Sequence, residues 1–316
     1  MNYYEETEII YQIAHLYYNE GITQEKIAEK LGINRLKVHR YLEAAKDEGI
    51  VQILVVNPLS HVEDLENFIK LKYKLDEIIV VPALTNNEYF IRKSLAKSAS
   101  KYLSENIQDG DCIGIGWGKT IYETLKYFQP SRKTSATVVP LIGGIGQYAA
   151  DFQVNEMARQ FSEKIKGEFV PLYAPAIVDS ESIVKALFSD KNFEKVSKLW
   201  EGMDIAVVGI GGPIAKDTYL PDTSISDNDL KILINNGHVG DILFNNFDKN
   251  GKICNESLTK KRVGISFEQL KKAKKIIAIA GSLRKKEAIL ASLKSGYVDV
   301  LITDQIVAKE IVGNKQ

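Results

Sequence analysis

From residue 77 onward, short Val/Ile-rich runs repeatedly end in glycine or another small residue and give way to a helical stretch. The strand candidates are 77–83, 111–117, 136–144, 168–174, 204–212, 275–281 and 298–304. Helical stretches at 89–105, 119–128, 153–165, 181–198, 226–235 and 284–295 lie between most of them. Continuous apolar strands separated by helices are the signature of a parallel sheet covered on both faces. No fixed-period repeat interrupts the pattern. One segment departs from it: NNFDKNGKI (245–253) reads as a hairpin turn with Asn250-Gly251 at its tip.

In an open α/β sheet, ligands sit beyond the carboxyl ends of the strands. Here those ends are rich in small residues. The first loop is Gly114-Ile115-Gly116-Trp117-Gly118-Lys119-Thr120. Its glycines let backbone N–H groups approach an anion, and the helix opening at Lys119 presents its positive end. It is not a Walker A loop, because Ile113 stands where the first glycine belongs. It is not the dinucleotide fingerprint, because Lys119 stands where the third glycine belongs. ATP and NAD are disfavoured, and a small phosphorylated ligand fits. The other loops are Gly143-Gly144-Ile145-Gly146, Gly209-Ile210-Gly211-Gly212-Pro213 and Ala280-Gly281-Ser282-Leu283-Arg284-Lys285. One glycine after a strand is more often a tight βα turn. Four such loops at one sheet edge make a ligand crevice the better reading. Asp241 belongs to the same half, where its carboxylate either holds sugar hydroxyls or caps a turn.

The segment Thr23–Leu42 reads as two short helices joined at Gly32, which supplies the positive φ of a sharp turn. Thr23 and Asn34 are N-caps. Ile27, Ala28 and Leu31 face one way on the first helix, and Val38, Tyr41 and Leu42 face inward on the second. Arg35, Lys37, His39 and Arg40 point outward. This is a helix-turn-helix whose second helix lays a basic face in the major groove. Its bland counterpart is a helical hairpin with a solvated charged face. Between Asn34 and Lys46 stand four Lys or Arg and one acid, Glu43, which favours the DNA reading. Residues 3–20 read as a third packing helix, and 50–56 as a strand or short wing ended by Asn57-Pro58. An amphipathic helix over 61–74 is either a linker and dimerisation element or a surface helix of the larger domain.

The 316 residues suggest two domains. The 41 basic residues balance 41 acidic ones, which excludes a protein that coats nucleic acid nonspecifically and fits one small basic reading head on a neutral body. Two cysteines, Cys112 and Cys254, in apolar contexts point to reduced thiols in a cytoplasmic protein. The acidic start lacks a signal peptide's basic flank, and no apolar run nears the roughly 18 residues of a membrane span. Catalysis has little support. Three of the four histidines (His15, His39, His61) lie in or beside the N-terminal region, and His238 has no evident partner. There is no nucleophile elbow and no clustered metal-ligand spacing. A Schiff base would want a lysine at the strand-end pocket, but Ile142 precedes Gly143. Lys119 and Lys285 sit at helix starts, where phosphate binding is the simpler role. No catalytic residue, metal or cofactor is expected.

Taken in order, LYYNEGITQEKIAEKLGINRLKVHRYL (16–42), GIGWGKT (114–120), VVPLIGG (138–144), YAPAIVD (173–179), AVVGIGGP (206–213), HVGDILFNNFDKNG (238–251) and KKEAILASLKSGYVDVLITDQIVA (285–308) resemble the SorC family of bacterial transcriptional regulators, grouped with DeoR-type sugar regulators. The resemblance implies an α/β fold class: an N-terminal all-α helix-turn-helix domain plus a large Rossmann-like parallel-sheet effector domain similar to phosphosugar isomerases. Domains are expected at 1–57, 58–75 (linker or oligomerisation helix) and 76–316. The family implies a double-stranded DNA operator, a phosphorylated sugar or polyol effector, and a homo-oligomer, dimer or tetramer. Carried over by motif, Gly116, Gly118, Lys119 and Thr120 look like the phosphate-side loop. Asp241 and Leu243 look like effector contacts, and Lys285 like the phosphate-contacting lysine. Gly143 and Gly144 complete the expected effector set. Thr23, Gln24, Asn34, Arg35, Lys37, His39 and Arg40 are the expected DNA contacts. Ser282 departs from the family's Ala-Gly-Gly run. The competing expectations are a sugar-phosphate isomerase with an appended helix-turn-helix, using Asp241 as base, and a non-DNA adaptor.

Overall fold

The computed structural model describes residues 3–51, 62–146, 150–214 and 225–313, and the chain divides into two compact units, Met1–Leu59 and Ser60–Gln316. The first unit packs α1 (Tyr3–Tyr18), α2 (Gln24–Leu31) and α3 (Arg35–Asp47) around Ile10, Ile13, Ile27, Val38, Leu42 and Ala45. Both caps form. Thr23 Oγ1 accepts the Lys26 N–H at 3.4 Å, and Asn34 Oδ1 accepts the Lys37 N–H at 2.7 Å. Gly32 ends α2 at φ +63. Leu31, expected on the buried face of α2, is instead exposed. The expected strand or wing at 50–56 lies, from 52 on, outside the described residues, as do Asn57 and Pro58.

The second unit opens with α4 (Val62–Tyr73), β1 (Glu77–Val81), α5 (Glu88–Asn106), β2 (Cys112–Ile115), α6 (Lys119–Tyr127) and β3 (Thr137–Pro140). It continues through α7 (Val154–Ile165), β4 (Glu168–Phe169), α8 (Glu181–Phe188), α9 (Lys191–Glu201), β5 (Ile205–Gly209) and α10 (Asp227–Asn235). Then come β6 (His238–Ile242), β7 (Asn245–Asp248), α11 (Glu256–Lys260), α12 (Phe267–Leu270), β8 (Lys275–Ile279), α13 (Lys286–Lys294), β9 (Val300–Asp304) and α14 (Gln305–Gly313). Among the described residues the sheet has seven strands in the order β1-β9-β8-β5-β2-β3-β4, every pairing parallel. Alternation sends Ile113, Ile115, Ile205, Val207, Ile277 and Ile279 to one face, against α5, α6 and α7. Ala206, Val208, Ile276 and Ala278 go to the other, against α4, α9, α13 and α14. Burial on both faces is why the strands read as unbroken apolar runs. The fully buried Trp200 anchors α9, its indole N–H donating to Pro140 O at 3.0 Å.

The strand order fixes where a ligand can sit. From β2 the chain moves outward to β3 and β4, and then returns to the other side of β2 to lay down β5, β8 and β9. The loops after β2 and β5 therefore leave in opposite directions, and a crevice opens between them.

One further expectation needs correction. The single helix expected over 181–198 is two, because Asp190 caps a new start, its Oδ1 accepting the Asn192 N–H at 2.8 Å. The hairpin of this unit runs β6 to β7 with Leu243 and Phe244 at its tip, at φ +54 and +59. The turn expected over 245–253 follows it, with Asn250-Gly251 at the tip bringing Ile253 back antiparallel to Phe247. The amphipathic helix over 61–74 is α4, which lays Ile69 into the core beside β1 and α14 and leaves Leu71 79% exposed.

Candidate functional site

A cavity of about 540 Å³ opens at the carboxyl ends of β2, β5 and β8. The β2 loop contributes Trp117, Gly118, Lys119 and Thr120, and the β5 loop contributes Gly209 to Ile214. Gly281, Ser282, Arg284 and Lys285 follow β8, and Glu88 and Arg92 come from the first turns of α5. The β6–β7 hairpin closes the remaining side with Asp241, Leu243, Phe244 and Asn246. Gly118 precedes α6 at φ +149, a conformation open to glycine, and the first residues of α6, Lys119 to Ile121, line the cavity. Trp117 forms an aromatic wall, 4.9 Å from the Phe152 ring and stacked at 6.4 Å on Phe244, with its indole N–H donating to Phe152 O at 2.8 Å.

The hairpin is held by a close approach. Gly211 N–H donates to the Asp241 carbonyl at 2.8 Å, and a side chain on Gly211 would collide with the Asp241 carboxylate. Asp241 Oδ2 accepts the Phe244 N–H at 2.9 Å. Burial pushes the Asp241 carboxyl up, against the opposing pull of that N–H, His238 and Lys285. Burial likewise pushes the Lys285 ammonium down, with Asp241 opposing. Lys285 Nζ donates to Ile210 O at 2.7 Å, which leaves two of its three donors for a ligand. Burial works to raise the Glu88 carboxyl, but bonds from Arg284 and Ser282 outweigh it and hold it below the ordinary range. The lining side chains include four cations (Arg92, Lys119, Arg284, Lys285) and two acids (Glu88, Asp241), so the field in the cavity favours an anion.

The structure brings Gly118, Lys119, Thr120, Asp241, Leu243 and Lys285 together around this space. It does not bring Gly116, Gly143 or Gly144 to it. A Cβ on Gly116 would meet Leu243 Cδ2 and Val207 O at 3.0 Å, so this glycine gives the hairpin tip room to sit against β2. A Cβ on Gly143 would lie 2.5 Å from Ala174 O, and Gly144 N–H donates to that same carbonyl at 2.8 Å. Both glycines join the end of β3 to the 174–176 segment. Sequence reasoning missed Glu88, Arg92 and the aromatic wall. The available signal was Asn87, which caps α5 just past the end of β1. His238 does not line the cavity; its Nδ1 accepts the Ile214 N–H at 3.4 Å. Among the described residues no cluster of three His, Cys, Asp or Glu is arranged for a metal ion.

Ser282 stands at φ +81, ψ 135, backbone that only glycine adopts freely. It is held there by its N–H donating to Asp304 Oδ2 at 2.7 Å and its hydroxyl donating to Glu88 at 3.0 Å. Ser282→Gly and Ser282→Ala both lose the hydroxyl bond, and only the alanine variant keeps the strain. The glycine variant is therefore expected to be the more stable by about 1–3 kcal/mol in denaturant titration. Equal stabilities would sink the strain argument.

In the N-terminal unit, α3 buries Val38, Tyr41, Leu42 and Ala45 and exposes Arg35, Leu36, Lys37, His39 and Arg40. Arg35 pairs with Glu25 of α2 at 2.9 Å, and Glu43 with Lys46 at 2.7 Å. The Lys37 ammonium sits 5.8 Å from the centre of the Tyr41 ring, on the flank of the exposed face. Thr23 and Gln24 open α2.

Comparison with known proteins gives two family matches. Residues 57–313 match the sequence profile "Putative sugar-binding domain", and residues 13–52 match "Winged helix-turn-helix DNA-binding". The chain is similar to the deoxyribonucleoside regulator of Bacillus subtilis (strain 168), 30% identical over 98% of this chain and 99% of that protein. It is also similar to the sorbitol operon regulator of Klebsiella pneumoniae, 28% identical over 96% of this chain and 98% of that one. The crystal structure of the full-length sorbitol operon regulator SorC from Klebsiella pneumoniae superposes with a TM-score of 0.75. That alignment has 27% identity and covers 97% of this chain and 98% of that chain.

Proposed function

Because the chain belongs to the SorC family of transcriptional regulators, pairing a helix-turn-helix with a sugar-binding domain, we propose that it controls a carbohydrate-metabolism operon in response to a phosphorylated sugar or polyol. The observation that carries this reading is the composition of the cavity. The opening amides of α6, Lys119 and Lys285 supply donors for a phosphate, while the Asp241 carboxylate supplies an acceptor for hydroxyl groups. Thr120, Gly118 and Leu243 complete the contact set, and Gly116, Gly143 and Gly144 shape the loops behind it. The operator contacts come from Asn34, Arg35, Lys37, His39 and Arg40 of α3 with Thr23 and Gln24 of α2. Residues 1–57 form the DNA-binding domain, 58–75 the connecting helix and 76–316 the effector domain. The division into two compact units near residue 59 supports that layout. The protein works in the cytoplasm as a dimer or tetramer, so that two copies of α3 meet two operator half-sites.

A thermal-shift screen tests the effector. A ligand bound only by the native state at 100 times its Kd adds about 2.7 kcal/mol of stability. Phosphorylated sugars are expected to raise Tm where their parent sugars do not; equal shifts for both would remove the phosphate from the reading. The same samples assayed for isomer formation test the enzyme alternative, in which Asp241 would act as base: binding is expected without turnover. For the operator, Arg40→Ala is expected to weaken binding at least about tenfold in a fluorescence-anisotropy titration, with thermal stability unchanged. Undiminished affinity would remove α3 from the interface.

A further inference from the structure

The exposed face of α3 carries one large apolar side chain. Leu36 is 68% exposed in the first turn of the helix, directly opposite the buried positions Val38, Tyr41, Leu42 and Ala45. Arg40 stands one turn further along the same face, and Arg35 and His39 flank it. Lys37 is turned aside toward Tyr41, and Arg35 is engaged with Glu25. Leu36 therefore leads the exposed stripe from the N-terminal end of the helix, with His39 and Arg40 one turn on and Glu43, paired with Lys46, two turns on. In a helix-turn-helix the first residues of the reading helix approach the base edges. The major groove offers one apolar feature at that depth, the C5-methyl of thymine.

We infer that Leu36 is a specificity-determining residue that packs on a thymine methyl group in each operator half-site, next to the contact made by Arg40. The inference rests on the proposed operator reading of α3. Basic side chains around the leucine draw the helix to the polyanion, and the leucine then discriminates by shape and by the methyl group it removes from water.

The test uses the full-length protein. Duplexes are selected by binding from a random pool, and each thymine of the selected site is then replaced in turn by uracil, which lacks only the methyl. At one thymine per half-site, uracil is expected to weaken the wild-type protein about fourfold, and about fifteenfold when both half-sites are changed, the effect of one buried carbon each. Leu36→Ala, an exposed change that leaves Tm in place, is expected to bind thymine and uracil sites equally, and Leu36→Met to keep part of the preference. A wild-type protein indifferent to uracil at every position overturns the inference, as does a Leu36→Ala variant with the full preference. Failure to enrich any sequence would instead overturn the operator reading on which it rests.

Discussion

Replacing Lys285 by methionine is expected to weaken effector binding about 100-fold while leaving effector-free operator binding unchanged. The methionine fills a similar volume and removes the ammonium. Two neighbouring cations do not replace it: Arg284 is bonded to Glu88 at 3.1 Å, and Lys119 projects from the exposed start of α6. The lost bond to Ile210 O also leaves that carbonyl without its partner, so a fall in stability of about 1–3 kcal/mol accompanies the change. Calorimetric titration with the effector found by the thermal-shift screen measures the first effect, and operator titration without effector measures the second. Parallel loss of both would assign Lys285 to folding. Unchanged effector affinity would remove it from the site.

Asp241→Asn is expected to act in opposite directions on stability and on response. Burial raises the Asp241 carboxyl in the native state, so native protein holds that proton more tightly than the unfolded chain does. Stability contributed by this group therefore falls as pH rises from the ordinary carboxylate range, about 4, up through the raised native value. Asparagine does not titrate. The variant should show a higher Tm than wild type at neutral pH and lose that part of the pH slope. Its amide oxygen can still accept the Phe244 N–H, so the hairpin tip keeps its shape. Effector affinity should nonetheless fall about tenfold or more, because hydrogen bonds to a charged acceptor contribute about 1.5–3 kcal/mol. A variant that is both less stable and fully responsive would reverse the assignment of Asp241 from ligand contact to structural cap.

The parallel sheet was legible because its strands are buried on both faces and end in small residues, a pattern that survives in one dimension. That Gly118, Lys119 and Thr120 line the cavity was legible for a related reason: a glycine leading from a strand end into a helix start is a local feature. Gly143 and Gly144 do not line the cavity, and a glycine that admits a distant carbonyl, as Gly143 admits Ala174 O, looks in sequence like a glycine that admits a ligand. The hairpin tip was missed because Leu243 and Phe244 hold positive φ without any glycine or asparagine, positioned by Asp241 and by packing on Gly116 and Trp117. Glu88 and Arg92 come to the cavity from the far side of the strand order, and that adjacency exists only once β1, β9 and β8 are laid side by side.

The two outer strands of the sheet have a consequence for how copies of the chain can meet. β4 pairs through only two residues, and its Glu168 is engaged by Lys195 at 2.9 Å. β1 is longer, but α4 lies along it, and Glu66 accepts the Val80 N–H at 2.7 Å. A free strand margin is a template onto which another chain can add. Here one margin is too short to template a strand, and the other has an amide already occupied by a carboxylate. Neither margin therefore offers a second chain an open run of backbone donors and acceptors along which a strand could be added.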